Sequence, residues 1–325
     1  MQEVTVLVIS YHSQNTVLET LESIKNQTYQ KIHLAVSDDC STDNSYALIK
    51  SWVRNHKSRF LSVKVRKTAK NLGVSRHMAL CMRMVVTEWF KGIAADDILL
   101  PDCIEKYVDF ISRHECHGMV YAKHLSFSGD EGRRKYFIDY EEQLYQKKFA
   151  GLSAEKQREY IAKREVLCSP TCFTNKADLL MAGGYDRSIR NIEDWPVKMR
   201  LLDSGFQMNR MDAYTVLYRV GNSISRSQDE FFKPAFLRME HQVKQKYCYK
   251  TARKSYLYRW NEAWTYIRYR IIINMFQNKR NIVTGIVNGM LGIMNLEKLK
   301  KAVINTAAYK KSIQEVKLVR NHYGI

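Results

Sequence analysis

A pair of adjacent carboxylates, Asp96 and Asp97, follows a short apolar run and is closed four residues later by Pro101. Side chains of a strand alternate between its two faces, so acids placed where a strand ends lie at the edge of the sheet. Mg²⁺ takes one or two protein carboxylates and leaves its other positions to phosphate oxygens and water. The pair therefore predicts a site for a cation-bound phosphate, although an ordinary polar loop could carry the same residues.

Acidic residues also cluster at the ends of two other predicted elements. Asp38 and Asp39 follow the second predicted strand, and Glu193 and Asp194 begin a late helix. Acids gathered at one sheet edge repel one another unless a cation or a titrating role accounts for them. Open parallel sheets bind ligands outside the carboxyl ends of their strands. We therefore expect the three acidic clusters to surround one cleft.

The elements that must position these acids alternate between strand and helix patterns. Continuous apolar, β-branched runs predict strands, and apolar residues three and four positions apart predict helices. The predicted strands cover residues 4–10, 32–37, 61–65, 87–94, 119–124 and 166–173, and the predicted helices cover 15–27, 74–86, 103–112 and 193–202. This alternation indicates an α/β fold with a mostly parallel sheet sandwiched by helices.

Two stretches depart from this alternation. Residues 126–163 are polar and charged with interspersed tyrosines, and we expect a mobile functional loop or lid there rather than a second core. Beyond Gly221 the pattern is helical to the end, and the apolar run at 282–294 is too short to span a bilayer. We therefore divide the chain into an α/β domain over residues 1–225 and a basic, all-helical region over residues 226–325.

The net charge of +19 is concentrated in the last third of the chain. Residues 231–325 hold 19 Lys and Arg against 4 Asp and Glu, whereas residues 1–230 hold 33 against 29. A local basic surface is informative about partners, and anionic lipid and nucleic acid are the two candidates. Trp260 and Trp264 lie among these bases, as in helices that lie in the headgroup region of a membrane. Helices that only pack on the α/β domain would have the same composition.

Seven cysteines, an odd number in scattered contexts, are typical of reduced thiols in a cytosolic protein. The N-terminus enters a strand pattern at once, so we expect no secretory signal. No apolar run approaches the roughly 20 residues that a spanning helix needs. We therefore expect a cytoplasmic protein, peripheral on the inner face of the cell membrane if its basic helices bind lipid.

The turn after the first strand, Ser10-Tyr11-His12-Ser13, is not a glycine-rich phosphate loop, and no P-loop occurs in the chain. A dinucleotide oxidoreductase and a P-loop kinase are therefore disfavoured. Six other motifs occur in order: Val-Leu-Val-Ile-Ser-Tyr-His (6–12), Ser-Ile-Lys-Asn-Gln-Thr-Tyr (23–29), Ser-Asp-Asp-Cys-Ser-Thr-Asp (37–43), Asn-Leu-Gly-Val-Ser-Arg (71–76), Ala-Asp-Asp-Ile-Leu-Leu-Pro (95–101) and Asn-Ile-Glu-Asp-Trp (191–195). With these motifs, residues 3–220 resemble the family-2 glycosyltransferases with the GT-A fold.

The resemblance implies how the donor nucleotide would be held. In such enzymes the ends of the first two strands bind the base, so Tyr11 would pack against uracil and Asp39 would accept its N–H. Arg76 would lie near the base or the diphosphate. Without the resemblance, Asp39 would be a helix cap and Arg76 a solvated side chain in a first helical turn.

The resemblance also implies a metal ligand and a base. Asp97 would bind the Mn²⁺ or Mg²⁺ that bridges the donor diphosphate, with Asp96 turned toward the ribose or the sugar. Asp194 resembles the catalytic base, although the helix dipole also favours an acid at a helix start. Many relatives carry a further Asp where this chain has Ala94, which predicts weak metal binding, or binding mainly through the phosphates of the donor.

The predicted function is an inverting hexosyltransferase that moves a sugar from a nucleotide donor, UDP by the resemblance, to a glycan or lipid-linked acceptor in surface polysaccharide synthesis. A non-catalytic donor-binding subunit is the alternative that Ala94 suggests. A nucleic-acid-binding protein is the alternative from charge alone, and we expect no nucleic acid because the acidic clusters would repel it. Glycines at 285, 289 and 292 make a homo-oligomer through the C-terminal helices conceivable. The sequence does not identify the sugar or the acceptor.

Overall fold

The structure, a computed structural model, describes residues 2–129, 132–221 and 229–325. The strands in these residues are β1 (Val4–Ser10), β2 (Ile32–Asp38), β3 (Ser62–Lys67), β4 (Trp89–Ala94), β5 (Ile98–Leu99), β6 (Met119–Ser128), β7 (Lys135–Phe137), β8 (Cys172–Asn175) and β9 (Asn209–Arg219). They form one sheet in the order β3-β2-β1-β4-β8-β6-β9-β5, with β7 paired to β6. The helices that cover this sheet come from every part of the chain.

The α-helices are α1 (Val17–Lys25), α2 (Ser45–His56), α3 (Val74–Cys81), α4 (Cys103–Arg113), α5 (Tyr140–Ala150), α6 (Ala154–Lys163), α7 (Lys176–Met181), α8 (Asp194–Asp203), α9 (Pro234–Val243), α10 (Tyr249–Ala252), α11 (Tyr256–Phe276), α12 (Ile282–Ile293), α13 (Leu296–Ala307) and α14 (Tyr309–Tyr323). Short 3₁₀ turns occupy Lys57–Arg59 and Ser169–Thr171, and a π-helical segment, Lys244–Cys248, joins α9 to α10. The helical C-terminal pattern predicted beyond Gly221 is present in the described residues 229–325.

The half of the sheet formed by β3, β2, β1 and β4 is parallel throughout. In β1 every residue except Ile9 is buried, as its continuous apolar run predicts for a central strand. The chain adds β2 and β3 on one side of β1 and then crosses to place β4 on the other side. The strand order therefore reverses at β1 and β4, and ligands of open α/β sheets bind outside the carboxyl ends of such strands.

The other half of the sheet mixes directions. β8 pairs antiparallel with β4 and β6, β9 pairs parallel with β6, and β5 pairs antiparallel with β9. This architecture confirms the predicted α/β class with its helix-covered sheet. The strand predicted at 166–173 begins only at Cys172, after the 3₁₀ turn. Pro170 lies in that turn, and proline has no N–H to donate to a sheet ladder.

The expectation of a loop or lid at 126–163 is wrong for the residues that the structure describes there, 126–129 and 132–163. They continue β6 and form β7, α5 and α6. Asp139 and Ser153 cap the two helices by accepting the N–H groups of the third helical residues. Phe149 and Ile161 are fully buried. A few apolar residues at helical spacing, hidden among many charges, are enough to attach both helices to the core.

The C-terminal helices pack on the α/β part, with α10 on α6, α13 on α5 and α14 on β7. Lys301 of α13 pairs with Asp139. The Tyr323 hydroxyl of α14 donates to Asp102 at 3.0 Å. The boundary predicted between residues 225 and 226 lies outside the described residues. The two predicted parts nevertheless share a packed interface.

In the described residues, no helix combines the length and the apolar content that crossing a bilayer would require.

Candidate functional site

The turn that carries Asp96 and Asp97 is held by β1 and α1. The N–H of Ala95 donates to the carbonyl of Ile9 at 2.9 Å. The Thr16 hydroxyl donates to the carbonyl of Ala95, and the Thr20 hydroxyl donates to the carbonyl of Asp97, each at 2.7 Å. These bonds fix the turn at the carboxyl end of β4, beside the end of β1.

The two adjacent carboxylates have different surroundings. Asp97 is only 2% exposed, and its Oδ1 accepts the backbone N–H of Arg219 at 2.9 Å. Burial, and after it the charge of Asp96, raise the pKa of Asp97 well above its usual value. Asp96 is exposed. The expected metal ligand, Asp97, therefore lies inside the turn, and Asp96 is the carboxylate that solvent and ligands can reach.

Asp39 is buried and anchors the loop that precedes α3. Its Oδ2 accepts the N–H groups of Leu72 at 3.1 Å and Gly73 at 3.0 Å, and its Oδ1 accepts the hydroxyl of Thr68 at 3.0 Å. Its own N–H donates to the carbonyl of Ser10 at 2.8 Å, which places it beside the end of β1. In the structure Asp39 thus positions a loop, and it does not cap a helix.

Tyr11 and Arg76 lie on the outside of this region. Tyr11 follows β1, is 49% exposed, and stacks on His12 with ring centroids 4.0 Å apart. Arg76, in the first turn of α3, is exposed, and its Nε donates to the carbonyl of Arg187 at 3.0 Å. Both side chains are accessible to a ligand at the ends of β1 and β2.

Two loops distant in sequence are joined beside α3. The N–H of Ser75 donates to the carbonyl of Arg190 at 3.1 Å, and that of Val74 donates to Oδ1 of Asn191 at 3.3 Å. The guanidinium of Arg190 donates to Oδ1 of Asn71 at 2.7 Å. We call the segments 71–75 and 187–191 the loop joint. The joint attaches the segment just before Asp194 to the nucleotide side predicted from the sequence.

The joint leaves no room for a side chain at Gly73, which has φ +76°. A Cβ there would lie 2.5 Å from Cγ of Arg190. We expect Gly73→Ala to lower the free energy of unfolding by about 2–4 kcal/mol, because it adds a clash to the strain of a positive φ. Gly205→Ala is the matched control, with φ +85° and open space around the Cβ. Thermal unfolding should show the larger loss for Gly73→Ala, and equal losses would contradict the tight joint.

Asp194 is the first residue of α8 and is held by two partners. Its Oδ2 accepts the Ser169 hydroxyl at 2.5 Å and lies 3.3 Å from Nζ of Lys198. Lys198 is buried and also pairs with Glu165 at 3.2 Å. Burial alone would raise the pKa of Asp194, but Lys198 and the Ser169 hydroxyl outweigh it, so the pKa lies below its usual value. Asp194 is therefore a carboxylate at neutral pH.

A cavity of about 160 Å³ joins Asp194 to the carboxyl ends of the central strands. Its lining includes Ile9 near the end of β1, Ala94 at the end of β4, and both Asp194 and Glu193. Apolar side chains such as Met78 and Val197 form much of its wall. Burial, followed by repulsion from Asp194, raises the pKa of Glu193 to about 8. At neutral pH, Asp194 is therefore ionised, and the adjacent Glu193 is protonated.

The structure brings the predicted site residues together in part. Asp194 lines the cavity with the last residue of β4, directly before the turn of Asp96 and Asp97. Tyr11 and Asp39 lie at the neighbouring ends of β1 and β2 but are not among the residues lining the cavity. Arg76 is connected to the same region through the loop joint. The three acidic clusters therefore lie along one edge of the sheet, and only the third, Glu193 and Asp194, lines the cavity.

Sequence reasoning missed the residues that hold the acids. Lys198 is four residues after Asp194, the spacing at which helical side chains meet, so it could have been found. Ser169 and Arg219 approach from distant segments, and nothing in the local sequence marks them. Lys91 is likewise buried on β4 and donates to the carbonyls of Gly92 and Cys172.

The described residues of this region do not form a preformed metal site. In the part of the chain that the structure describes, no three His, Cys, Asp or Glu residues are arranged to hold an ion. Asp96 supplies one accessible carboxylate. Mg²⁺ and related cations accept one or two protein carboxylates together with substrate phosphates. The residues therefore fit a cation that arrives with a diphosphate ligand.

The sequence matches known proteins over its α/β part. The model of glycosyl transferase family 2 matches residues 5–184. EpsE of Bacillus subtilis, named as a glycosyltransferase, is 25% identical over 209 residues, which are 63% of this chain and 68% of EpsE. The UDP-Glc:alpha-D-GlcNAc-diphosphoundecaprenol beta-1,3-glucosyltransferase WfaP of Escherichia coli is 21% identical over 223 residues, which are 68% of this chain and 78% of WfaP.

Solved structures with the same fold extend over nearly the whole chain. S. aureus TarS 1–349 in complex with UDP has a TM-score of 0.55 at 14% identity and covers 95% of this chain and 91% of its own. The mannosyltransferase PcManGT from Pyrobaculum calidifontis, in complex with GDP-Man and Mn²⁺, has a TM-score of 0.53 at 13% identity, and the match covers 96% of this chain and 76% of PcManGT. The chain spans only 37% of a longer TarS structure. These likenesses concern the fold.

Proposed function

The chain belongs to glycosyl transferase family 2, and we propose that it is an inverting glycosyltransferase that uses a UDP-sugar donor. The acceptor in this proposal is a hydroxyl of a glycan or of a lipid-linked sugar. The observation that carries the proposal is the cavity, because it places the carboxylate of Asp194 beside the carboxyl ends of β1 and β4. A reacting sugar bound there would lie between a donor at the strand ends and a base on α8.

The donor part of the proposal assigns the nucleotide to the ends of β1 and β2. The exposed ring of Tyr11 can stack on uracil. Asp39 would act mainly through the loop of residues 71–73 that it anchors, with a contact to the base as its expected second role. Arg76 would face the base or the diphosphate. The UDP complex of TarS supports a uridine nucleotide, since that protein shares the fold.

The proposed cation is Mn²⁺ or Mg²⁺, held by Asp96 and by the diphosphate of the donor. Asp96 is chosen over the expected Asp97 because only Asp96 is exposed. The PcManGT complex with Mn²⁺ supports a cation in this fold. Such an ion supplies charge neutralisation at a departing diphosphate. Asp97 would keep the turn in shape through the N–H of Arg219.

The proposed base is Asp194, which would take the proton from the acceptor hydroxyl while the oxygen attacks the anomeric carbon. Its lowered pKa keeps it ionised at neutral pH, and Ser169 and Lys198 fix its orientation. Attack from the face opposite the leaving group inverts the anomeric centre in a single displacement. A positioned general base contributes about 10²–10⁴-fold to such a step.

The proposed setting is the synthesis of a surface polysaccharide on the cytoplasmic side of the cell membrane. The name of WfaP describes transfer from UDP-Glc onto a sugar attached to diphosphoundecaprenol. A comparable lipid-linked acceptor would place this chain as a peripheral protein on the inner face of the membrane.

A donor-binding experiment tests the proposal. We expect UDP binding, measured by calorimetry, to strengthen when Mn²⁺ is added. Tyr11→Ala should weaken it by about 5- to 150-fold, because base stacking on an aromatic ring is worth about 1–3 kcal/mol. Tyr309→Ala, at an exposed tyrosine of α14, is the control. Failure of UDP to bind would contradict the donor assignment, and binding without release of sugar from any UDP-sugar would favour a non-catalytic subunit.

A further inference from the structure

Helix α12 exposes its apolar side chains instead of burying them. Ile282, Val283, Ile286, Met290 and Ile293 are between 54% and 83% exposed. Four of them recur at intervals of three or four residues and therefore lie along one face. Soluble monomers rarely leave an apolar patch of this extent uncovered. We call this surface the α12 face.

The polar groups of the same region point inward. On α12, Thr284 is fully buried, and Oδ1 of Asn288 is buried with no hydrogen-bond partner. On the neighbouring α11, Asn261 and Arg268 are at most 6% exposed, while Met275 is 72% exposed. This arrangement is the reverse of the usual one for a helix in water, where the apolar side faces the core. It indicates that the exposed apolar side of α12 is covered by a binding partner.

Hydrogen bonds from α11 and a helix cap hold α12 in place. Nε1 of Trp264 donates to the carbonyl of Leu291 at 2.5 Å, and Nε1 of Trp260 donates to that of Met294 at 3.2 Å. Asn281 caps the start of α12 by accepting the N–H of Thr284. The tryptophans thus connect α11 to the end of α12 and hold α12 in place.

The charges around the α12 face favour an anionic surface over a second copy of the chain as its binding partner. Residues 256–310 contain nine Lys and Arg but only two acids, Glu262 and Glu297. Exposed bases stand at both ends of α12, with Lys279 and Arg280 before it and Lys300 after it. In a symmetric dimer through this face, the bases at the ends of α12 would face bases of the second copy and repel them. An anionic surface, in contrast, would attract them.

We propose that the α12 face is the surface by which this chain docks on an anionic lipid bilayer. Twelve residues of helix extend about 18 Å, too short to cross a hydrocarbon core, so α12 would lie in the plane of the headgroups. Its aliphatic side chains insert between the lipids, and the flanking bases contact the anionic headgroups. The inference concerns a surface distinct from the cavity and holds whether or not the proposed reaction occurs.

Sedimentation with vesicles tests the inference on the full chain. We expect binding to vesicles of phosphatidylcholine with 30 mol% (about one lipid in three) phosphatidylglycerol, and at least about tenfold weaker binding to phosphatidylcholine alone, because each base near an anionic surface contributes about 1 kcal/mol. Raising the salt should weaken the binding, since exposed charges are screened. Absence of binding to the anionic vesicles at low salt would overturn the proposal.

Two variants distinguish binding through the α12 face from nonspecific adsorption to the vesicles. Met290→Glu should weaken binding to the anionic vesicles by at least about tenfold, because a charge then replaces an inserted side chain. Met181→Glu, at a methionine of α7 that is 73% exposed, makes the same change elsewhere and should leave binding intact. Equal losses in both variants would overturn the proposal. So would a stable dimer of the lipid-free chain that Met290→Glu dissociates, because the occupant would then be a second copy.

Discussion

Asp194→Asn is expected to lower kcat for sugar transfer by about 10²–10⁴-fold, because an amide cannot accept the proton of the acceptor hydroxyl. The substitution keeps the size of the side chain, and Asn can still accept the Ser169 hydroxyl that Asp194 accepts at 2.5 Å. UDP-sugar binding should therefore stay close to that of the unchanged chain. The two measurements are initial rates with a glycan acceptor and calorimetry with the donor alone.

A matched control comes from the same helix. Asp203→Asn makes the same chemical change at the other end of α8, where the side chain is 51% exposed and pairs with Arg158. An exposed ion pair contributes little to stability, so Asp203→Asn should retain nearly full activity. Full turnover by Asp194→Asn would remove Asp194 as the base, and a large loss of donor affinity would make it a binding residue instead.

Asp96→Asn should weaken Mn²⁺-dependent donor binding by at least about 10- to 100-fold, which is the usual effect of changing even the outer partners of a metal. Asp96 is the exposed member of the pair, and the carboxylate charge is lost in the variant. Binding of UDP without added metal should change much less. Calorimetry with and without Mn²⁺ isolates the difference.

Asp97→Asn decides between the two neighbouring acids. Burial and the nearby charge of Asp96 raise the pKa of Asp97, and its Oδ1 accepts the N–H of Arg219, a bond that an amide oxygen can also accept. We therefore expect Asp97→Asn to retain metal-dependent donor binding. The reverse result, loss at Asp97 and retention at Asp96, would restore the metal ligand predicted from the sequence.

Strands β1 to β4 and β6 follow from patterns that the sequence makes plain, whereas β5, β7 and β9 were not predicted. β1 is a continuous apolar run, and the α8 helix was predicted to within a residue at each end. The motif order also identified the family that the comparison with residues 5–184 supports. These features are local, because strand and helix patterns depend on neighbours within a few residues.

The sequence does not show which of the two adjacent carboxylates is exposed, or that the helices of the charged stretch pack on the core. Asp96 and Asp97 are identical in type and adjacent, and only the N–H of Arg219, 122 positions later, separates their roles. The charged stretch at 126–163 resembles a loop because the residues that bury it, such as Phe149, are few. The outward direction of the α12 side chains likewise depends on what packs beneath them.

The loop joint also determines which positions could be varied to change acceptor choice. Segments 71–75 and 187–191 are joined by the bond from the Ser75 N–H to the Arg190 carbonyl and by side-chain bonds, and they leave no space at Gly73. A combinatorial library that includes them would lose most of its members to misfolding. Met78, Met119 and Val197 instead face the cavity from three separate elements. Diversifying those three would reshape the pocket while the frame that aligns Asp194 stays intact.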